Sequence, residues 1–154
     1  MKPIFIIAMV VLAIPAAAQT SSKAEVFSSS ALKTELATLT QQAQGSGSSS
    51  TTLGDYGTHA LMLSVRTKSG GAEVHAHYDD VMVVTGGRAT LITGGTVIDP
   101  HTSRNGEMKG KGIKNGNSRT ISVGDVIHIP AGTPHQLLIP PATTYRSFVV
   151  KVKE

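Results

Sequence analysis

From His59 onward, apolar residues occur in short runs that are separated by glycine and polar residues, for example THALMLSVRT, DVMVVT, RATLIT and YRSFVVKV. Short β-rich runs at this spacing predict an all-β sandwich or barrel. The glycine pairs at 70–71, 86–87 and 94–95 fall between runs, where tight turns need positive φ. Residues 99–117, rich in Gly, Asn, Lys and Arg, are too long for a simple turn and predict a mobile excursion or an irregular hairpin.

A different pattern precedes the β-rich part. In SSSALKTELATLTQQAQ, Leu32, Leu36 and Leu39 stand at i, i+4 and i+7 behind serines that can cap a helix. This predicts one short amphipathic helix on the outside of the β structure. The next stretch, GSGSSSTT, has no apolar side chain to bury, so we predict a flexible linker or exposed loop that decouples the helix from the β domain.

The first residues resemble an export signal. Lys2 precedes an apolar run from Ile4 to Ile14 that is too short to span a bilayer, and Ala16 and Ala18 supply the small residues that a signal peptidase needs. We predict cleavage after Ala18 and a periplasmic or secreted product with no membrane anchor. The predicted organisation is a signal peptide at 1–18, the helix and linker at 19–54 and the β domain at 55–154.

Composition narrows the chemistry. A chain of 154 residues allows one packed β domain, and the absence of cysteine restricts any metal site to nitrogen and oxygen ligands. The net charge is +4, with the basic excess concentrated between Arg104 and Arg119. Because that segment has no aromatic residue for base stacking, it favours a solvated loop over a nucleic-acid surface.

One motif closely resembles a known family signature. In GDVIHIPAGTPHQLLI, Gly124 is followed after five residues by Pro130, then by Gly132 and His135. This spacing resembles the second signature of the cupin superfamily, except that Ile139 stands where that signature often has Asn. Physically, the strand ends at Pro130, the chain turns, and His135 begins the next strand.

A second motif, HAHYDDVMVVTGG, resembles the first cupin signature, with Asp80 in place of the family's Glu and one residue fewer before it. Residues two apart on a strand face the same side, so His75 and His77 can offer two imidazoles to one ion. An alternative register places Glu73 and His75 in the two histidine positions and leaves His77 at a bend. Asp79 competes with Asp80 as the carboxylate.

Other histidines have simpler interpretations. His59 and His101 are typical of hydrogen-bonded or surface residues, and His128 is at most a supporting residue near the site.

The resemblance implies a small antiparallel jelly-roll barrel, frequently dimeric, with one metal near its wide end. It implies the ligands His75, His77, Asp80 and His135. The ion would be Fe, Mn, Ni or Zn. We hypothesise a metal-dependent enzyme acting on a small organic molecule, dioxygenase-like or an isomerase or lyase. The alternatives are a non-catalytic periplasmic module that binds a small molecule or metal, and a structural cupin with no ligand.

Overall fold

A computed structural model describes residues 23–103 and 106–154. The predicted signal peptide, residues 1–18, lies outside the described residues. The elements in chain order are α1 Ser29–Ser46, β1 Ser48–Asp55, β2 His59–Arg66, β3 Ala72–Val74, β4 Tyr78–Gly86, β5 Arg88–Thr93, β6 Thr96–Ile98, β7 His101–Thr102, β8 Met108–Gly110, β9 Gly112–Lys114, β10 Asn117–Ser122, β11 Val126–Ile129, β12 His135–Leu138 and β13 Tyr145–Lys153.

Two antiparallel sheets form the body of the protein, in the strand orders β1-β2-β13-β4-β11 and β10-β5-β12-β3-β8-β7. The main core joins side chains of both sheets: the first contributes Met82, Val84 and Val149, and the second contributes Leu91 and Leu137. These side chains occupy alternate positions because successive residues of a strand point to opposite faces. The predicted all-β jelly roll with one N-terminal helix is confirmed.

Helix α1 covers the outer face of the first sheet. The Ser28 hydroxyl caps it by accepting a hydrogen bond from the Ala31 N–H at 3.2 Å. The helix ends at Gly47, whose φ of 89° lies in the left-handed region that favours glycine. Leu39 and Ala43 are buried in a second apolar cluster with Leu63 and Val65 of β2, which are the outward-facing residues of that strand.

The structure differs from the predicted linker. Residues 45–47 complete and cap the helix, and Ser48–Asp55 form β1, which pairs antiparallel with β2 and carries a bulge between Thr52 and Gly54. Backbone hydrogen bonds to β2 hold this strand, and they need no apolar side chain. Leu53 adds a contact to the cluster under the helix. The helix and β1 are therefore packed onto the sheet and are not decoupled from it.

The excursion at 99–117 contains short strands. β8 pairs with β3 on one side and β7 on the other, and β9 pairs with β6 in a small two-stranded sheet. The segment thus has the form of irregular hairpins, and it brings the Glu107 carboxylate into contact with His75. Within the residues that the structure describes, no helix is both long enough and apolar enough to cross a bilayer.

Candidate metal site

The two histidine motifs meet at one end of the jelly roll. β3 ends at Val74, and the chain bends through residues 75–77 before β4 begins at Tyr78. In the same sheet, the neighbouring strand β12 begins at His135, which pairs in register with Glu73. The turn of the second motif is tied to the first, because the Gly132 N–H donates to the His75 carbonyl at 2.8 Å.

Four side chains with metal-ligating atoms converge here. One ligand atom each from Glu73, His75 and His135 lies within 4.8 Å of the other two. Asp80 adds a carboxylate oxygen, Oδ2, at 3.2 Å from His75 Nε2 and 3.9 Å from His135 Nε2. The two imidazole rings are tilted, with centroids 5.0 Å apart. Two nitrogens and two carboxylates therefore surround one small volume.

Both rings are held by their outer nitrogens. His135 Nδ1 lies 3.0 Å from the Thr133 carbonyl, and His75 Nδ1 contacts the Glu107 carboxylate. Because a carbonyl oxygen only accepts, His135 Nδ1 carries the hydrogen and Nε2 is left with a free lone pair. Anchoring one ring nitrogen to an acceptor is how metal-binding histidines are usually oriented.

The pKa shifts favour an ionised Asp80 and a neutral His135, whereas the pKa of His75 is raised. Asp80 is only 5% exposed, and burial raises its pKa, but His75 and the Lys151 ammonium, 2.8 Å from its Oδ1, more than offset this and hold the pKa at about 2. Burial also lowers the pKa of His135, which favours its neutral form. For His75, burial lowers the pKa, but the Asp80 and Glu107 carboxylates reverse the effect and leave it raised.

A cavity of about 210 Å³ opens onto these residues. Its remaining walls combine apolar and polar side chains, among them Met62, Met82, Leu137, Val149, Ser64, Arg66, Gln136, Ser147 and Lys151. The alternate positions of β13 that face inward, Ser147, Val149 and Lys151, run along one wall. The site is thus at the wall of a small internal space that a substrate could enter.

Of the predicted ligands, the structure gathers His75, Asp80 and His135 and leaves His77 outside. His77 is exposed at the bend and does not line the cavity, and its carbonyl accepts from the Glu154 N–H at 3.0 Å. His75 and His77 do not face the same side as expected, because β3 already ends at Val74. The arrangement corresponds to the alternative register with Glu73.

Asp79, the competing carboxylate, lies on the other face of β4. Its Oδ1 accepts from the Ala131 N–H at 2.7 Å and its Oδ2 lies 2.9 Å from His128 Nε2. These contacts lower the pKa of Asp79, with the His128 contact the largest cause. Because His128 and Asp79 pair with each other away from the cavity, neither supplies a ligand atom to the site.

Sequence reasoning missed two cavity residues and one residue that contacts His75 from outside the cavity lining. Lys151 and Arg66 lie at inward positions of β13 and β2. Each is an even number of residues from another cavity residue of its strand, Ser147 or Ser64, so the alternation of side chains along a strand could have predicted them. Glu107 comes from the excursion, where no periodic signal exists. Outside the cavity, His59 stacks on Tyr56 and His101 is exposed, as their simpler interpretations predicted.

Several solved structures share this fold. A double-stranded β-helix domain protein from Klebsiella pneumoniae is similar over 69% of this chain and 76% of its own, with a TM-score of 0.51 and 14% identity. A cupin-2 domain protein from Rhodospirillum rubrum is similar over 70% of this chain and 61% of its own, with a TM-score of 0.50 and 16% identity. The chain has the cupin fold.

A third similar structure is an enzyme. The polyketide cyclase RemF from Streptomyces resistomycificus matches over 70% of this chain and 66% of its own, with a TM-score of 0.50 and 21% identity. The chain thus spans about two thirds of the cyclase's length, and at such identities the likeness concerns the fold alone. No protein-family model and no curated protein matches the sequence.

Proposed function

We propose that this cupin binds a divalent metal ion through His75, His135, Glu73 and Asp80, and that it is a metal-dependent enzyme acting on a small organic molecule. The observation that carries the proposal is the orientation of the two imidazoles. Both Nδ1 atoms are anchored, while both Nε2 atoms lie within 4 Å of the same oxygen, Asp80 Oδ2.

The donor set fits a first-row divalent ion. Imidazole nitrogens and carboxylate oxygens suit Fe(II), Mn(II), Ni(II) and Zn(II), and no softer ligand is needed. The charges fit as well, because Asp80 is ionised, His135 favours its neutral form, and Lys151 holds only one of the two Asp80 oxygens. The other Asp80 oxygen remains directed toward the imidazoles.

When bound, the ion would supply Lewis-acid activation of a substrate oxygen or activation of dioxygen. The apolar wall of Met62, Met82 and Val149 would exclude water from the reacting groups. Lys151 has hydrogen-bond donors beyond the one used by Asp80 and can orient a substrate oxygen. We propose a dioxygenase-like, isomerase or lyase reaction; the RemF likeness shows only that enzymes occur on this fold.

The sequence alone supports two further parts of the proposal. We propose that residues 1–18 are removed on export, so that the protein works in the periplasm or outside the cell, and that it forms a homodimer, as the resemblance to cupins implies.

A second candidate function is a non-catalytic binding module for a small molecule. The Lys151–Asp80–His75 contacts favour it, because they already pair the buried carboxylate with a cation at 2.8 Å and an imidazole at 3.2 Å. Such a site can be stable without turnover. An oxygen-uptake and product screen with enols and catechols on metal-loaded protein separates the two: turnover supports the enzyme, and ligand-induced stabilisation without turnover supports the binder.

Metal titration of single variants tests the ligand set. Protein purified without chelator should contain about one ion per chain, and His135→Ala should lose most of it. Glu73→Gln and Asp80→Asn replace a charged oxygen ligand with a neutral one, so each should weaken Mn(II) or Zn(II) binding by about tenfold or more.

Two side chains that lie near the site but outside the cavity serve as controls. His77→Ala and Asp79→Asn should bind metal like the wild type, because neither side chain lines the cavity. Similar losses in the control and ligand variants would contradict the assignment, and metal-free wild type after loading would refute the metal site itself.

A further inference from the structure

Arg66 places a positive charge in the cavity, where its contact with a carboxylate among the described residues is long. Its side chain is 21% exposed at the end of β2, and its nearest carboxylate oxygen, Glu73 Oε2, is 3.8 Å away. A strong guanidinium–carboxylate pair has hydrogen bonds of about 2.7–2.9 Å, so among the described residues this longer contact does not saturate the donors of the guanidinium. The guanidinium donors are therefore available to a ligand that enters the cavity.

The wall around Arg66 is rich in further donors. Ser64 lies two residues before it on the same face of β2, and Ser147 stands opposite Ser64 in the β2–β13 register; both line the cavity. Tyr145, opposite Arg66, buries its hydroxyl without a hydrogen-bond partner among the described residues. One face of the cavity therefore combines a guanidinium with hydroxyl groups, which is the chemistry that receives an anion.

Charge balance points the same way. The charged side chains in and around the cavity divide equally into carboxylates and cations, namely Glu73, Asp80, Glu107, Arg66, Lys109 and Lys151. With the divalent ion proposed above, this neutral group acquires two uncompensated positive charges. In a half-buried site such an excess attracts a negatively charged ligand.

We infer that the substrate is a small organic carboxylate, whose carboxylate group is held by Arg66 with the Ser64 and Ser147 hydroxyls. The inference rests on the proposed metal function. Glu73 connects the two parts of the site, because it lies 3.8 Å from Arg66 and also within 4.8 Å of both imidazoles. A carboxylate on Arg66 thus lies beside the reacting centre.

The Glu73 carboxylate favours a carboxylate ligand over a phosphate. A phosphate dianion next to the Glu73 carboxylate is repelled more strongly than a monoanionic carboxylate. The cavity, about 210 Å³, is also smaller than the usual range of about 300–1,000 Å³ for ligand pockets, which favours a ligand of few atoms.

Calorimetric titration of the zinc-loaded full chain tests this. The probes are acetate, malonate, succinate and benzoate, each beside its primary amide, with inorganic phosphate as a further anion. At least one carboxylate should bind while its amide does not. Arg66→Gln should weaken that binding about tenfold or more, since a hydrogen bond to a charged group is lost, and Arg66→Lys should restore part of it.

Arg146→Gln is the matched control, since Arg146 is also half-buried but lies on the opposite face of β13 and does not line the cavity. It should bind the carboxylate like the wild type. Equal binding of acids and amides, stronger binding of phosphate than of every carboxylate, or unchanged affinity in Arg66→Gln would overturn the inference. If Arg66→Gln does not fold, the acid and amide comparison on the wild type decides.

Zinc content measured on the same samples separates the two proposals. Stoichiometric zinc without carboxylate binding refutes only the substrate class. Absence of zinc from the loaded wild type refutes the metal function, and Arg66-dependent carboxylate binding by that zinc-free protein would still support the anion site.

Discussion

Replacing Leu39 with alanine measures how firmly the helix belongs to the β domain. Leu39 is 2% exposed and packs against Ala43, Leu63 and Val65. Truncating a fully buried leucine costs about 2–5 kcal/mol, through lost transfer free energy and the cavity left behind. Alanine has the higher helix propensity, but only by a few tenths of a kcal/mol, so packing determines the sign. We expect Leu39→Ala to lower the free energy of unfolding by about 3 kcal/mol.

Urea denaturation followed by circular dichroism provides the measurement, with Lys33→Ala as the control. Lys33 lies on the same helix but is exposed, so its truncation should change the free energy by no more than about 0.5 kcal/mol. Both variants should keep one transition with the wild-type slope. Two results would contradict the packing of the helix on the sheet: equal free energies of unfolding for Leu39→Ala and Lys33→Ala, or a separate early melting transition of the helix. Either would mean that the helix is decoupled from the β domain, as the serine-rich pattern indicates.

Two further predictions concern single positions. Burial raises the pKa of Tyr145, so its neutral form contributes stability that is present below pH of about 10 and is lost as the pH rises toward the folded-state pKa. Tyr145→Phe should therefore melt at or above the wild-type temperature at pH 7 and lose less stability than the wild type between pH 9 and 11. An identical loss of stability at alkaline pH in both proteins would contradict this. At Gly87, φ is 72° and an added Cβ would lie 2.4 Å from the Thr144 carbonyl oxygen, so Gly87→Ala should cost more than about 1 kcal/mol of unfolding free energy. The control Gly45→Ala, in the helix with nothing within 4 Å of the added Cβ, should be neutral or stabilising, and equal chemical denaturation midpoints for the two alanine variants would count against the close contact.

The glycine-punctuated apolar runs were enough to predict the jelly roll, because alternation and turn chemistry are local properties. β1 escaped prediction for a physical reason: a serine-rich edge strand is held mainly by backbone hydrogen bonds to β2, and these leave no trace in hydrophobic periodicity. The second motif placed His135 at the start of a strand, as the structure has it.

The first motif shows where parity reasoning stops. It assumes that a strand continues, and β3 ends one residue before His75, so the bend directs His77 away from the cavity. Glu107 reaches His75 only through the pairing of β8 with β3, a tertiary relation that no local pattern encodes. The identity of the ligands stays a prediction that the metal titrations test.

The Lys151–Asp80 contact has a consequence for the order of events during folding. These two residues are 71 positions apart in the chain, and the Gly132–His75 hydrogen bond closes another long loop across the two sheets. Closing such loops costs chain entropy that local contacts cannot repay, so topologies of this kind reach the native state slowly. The complete set of metal-ligating side chains does not exist until both sheets have met. Tight ion binding should therefore follow the last step of folding, and the rate of metal uptake by refolding protein should measure the rate of that step.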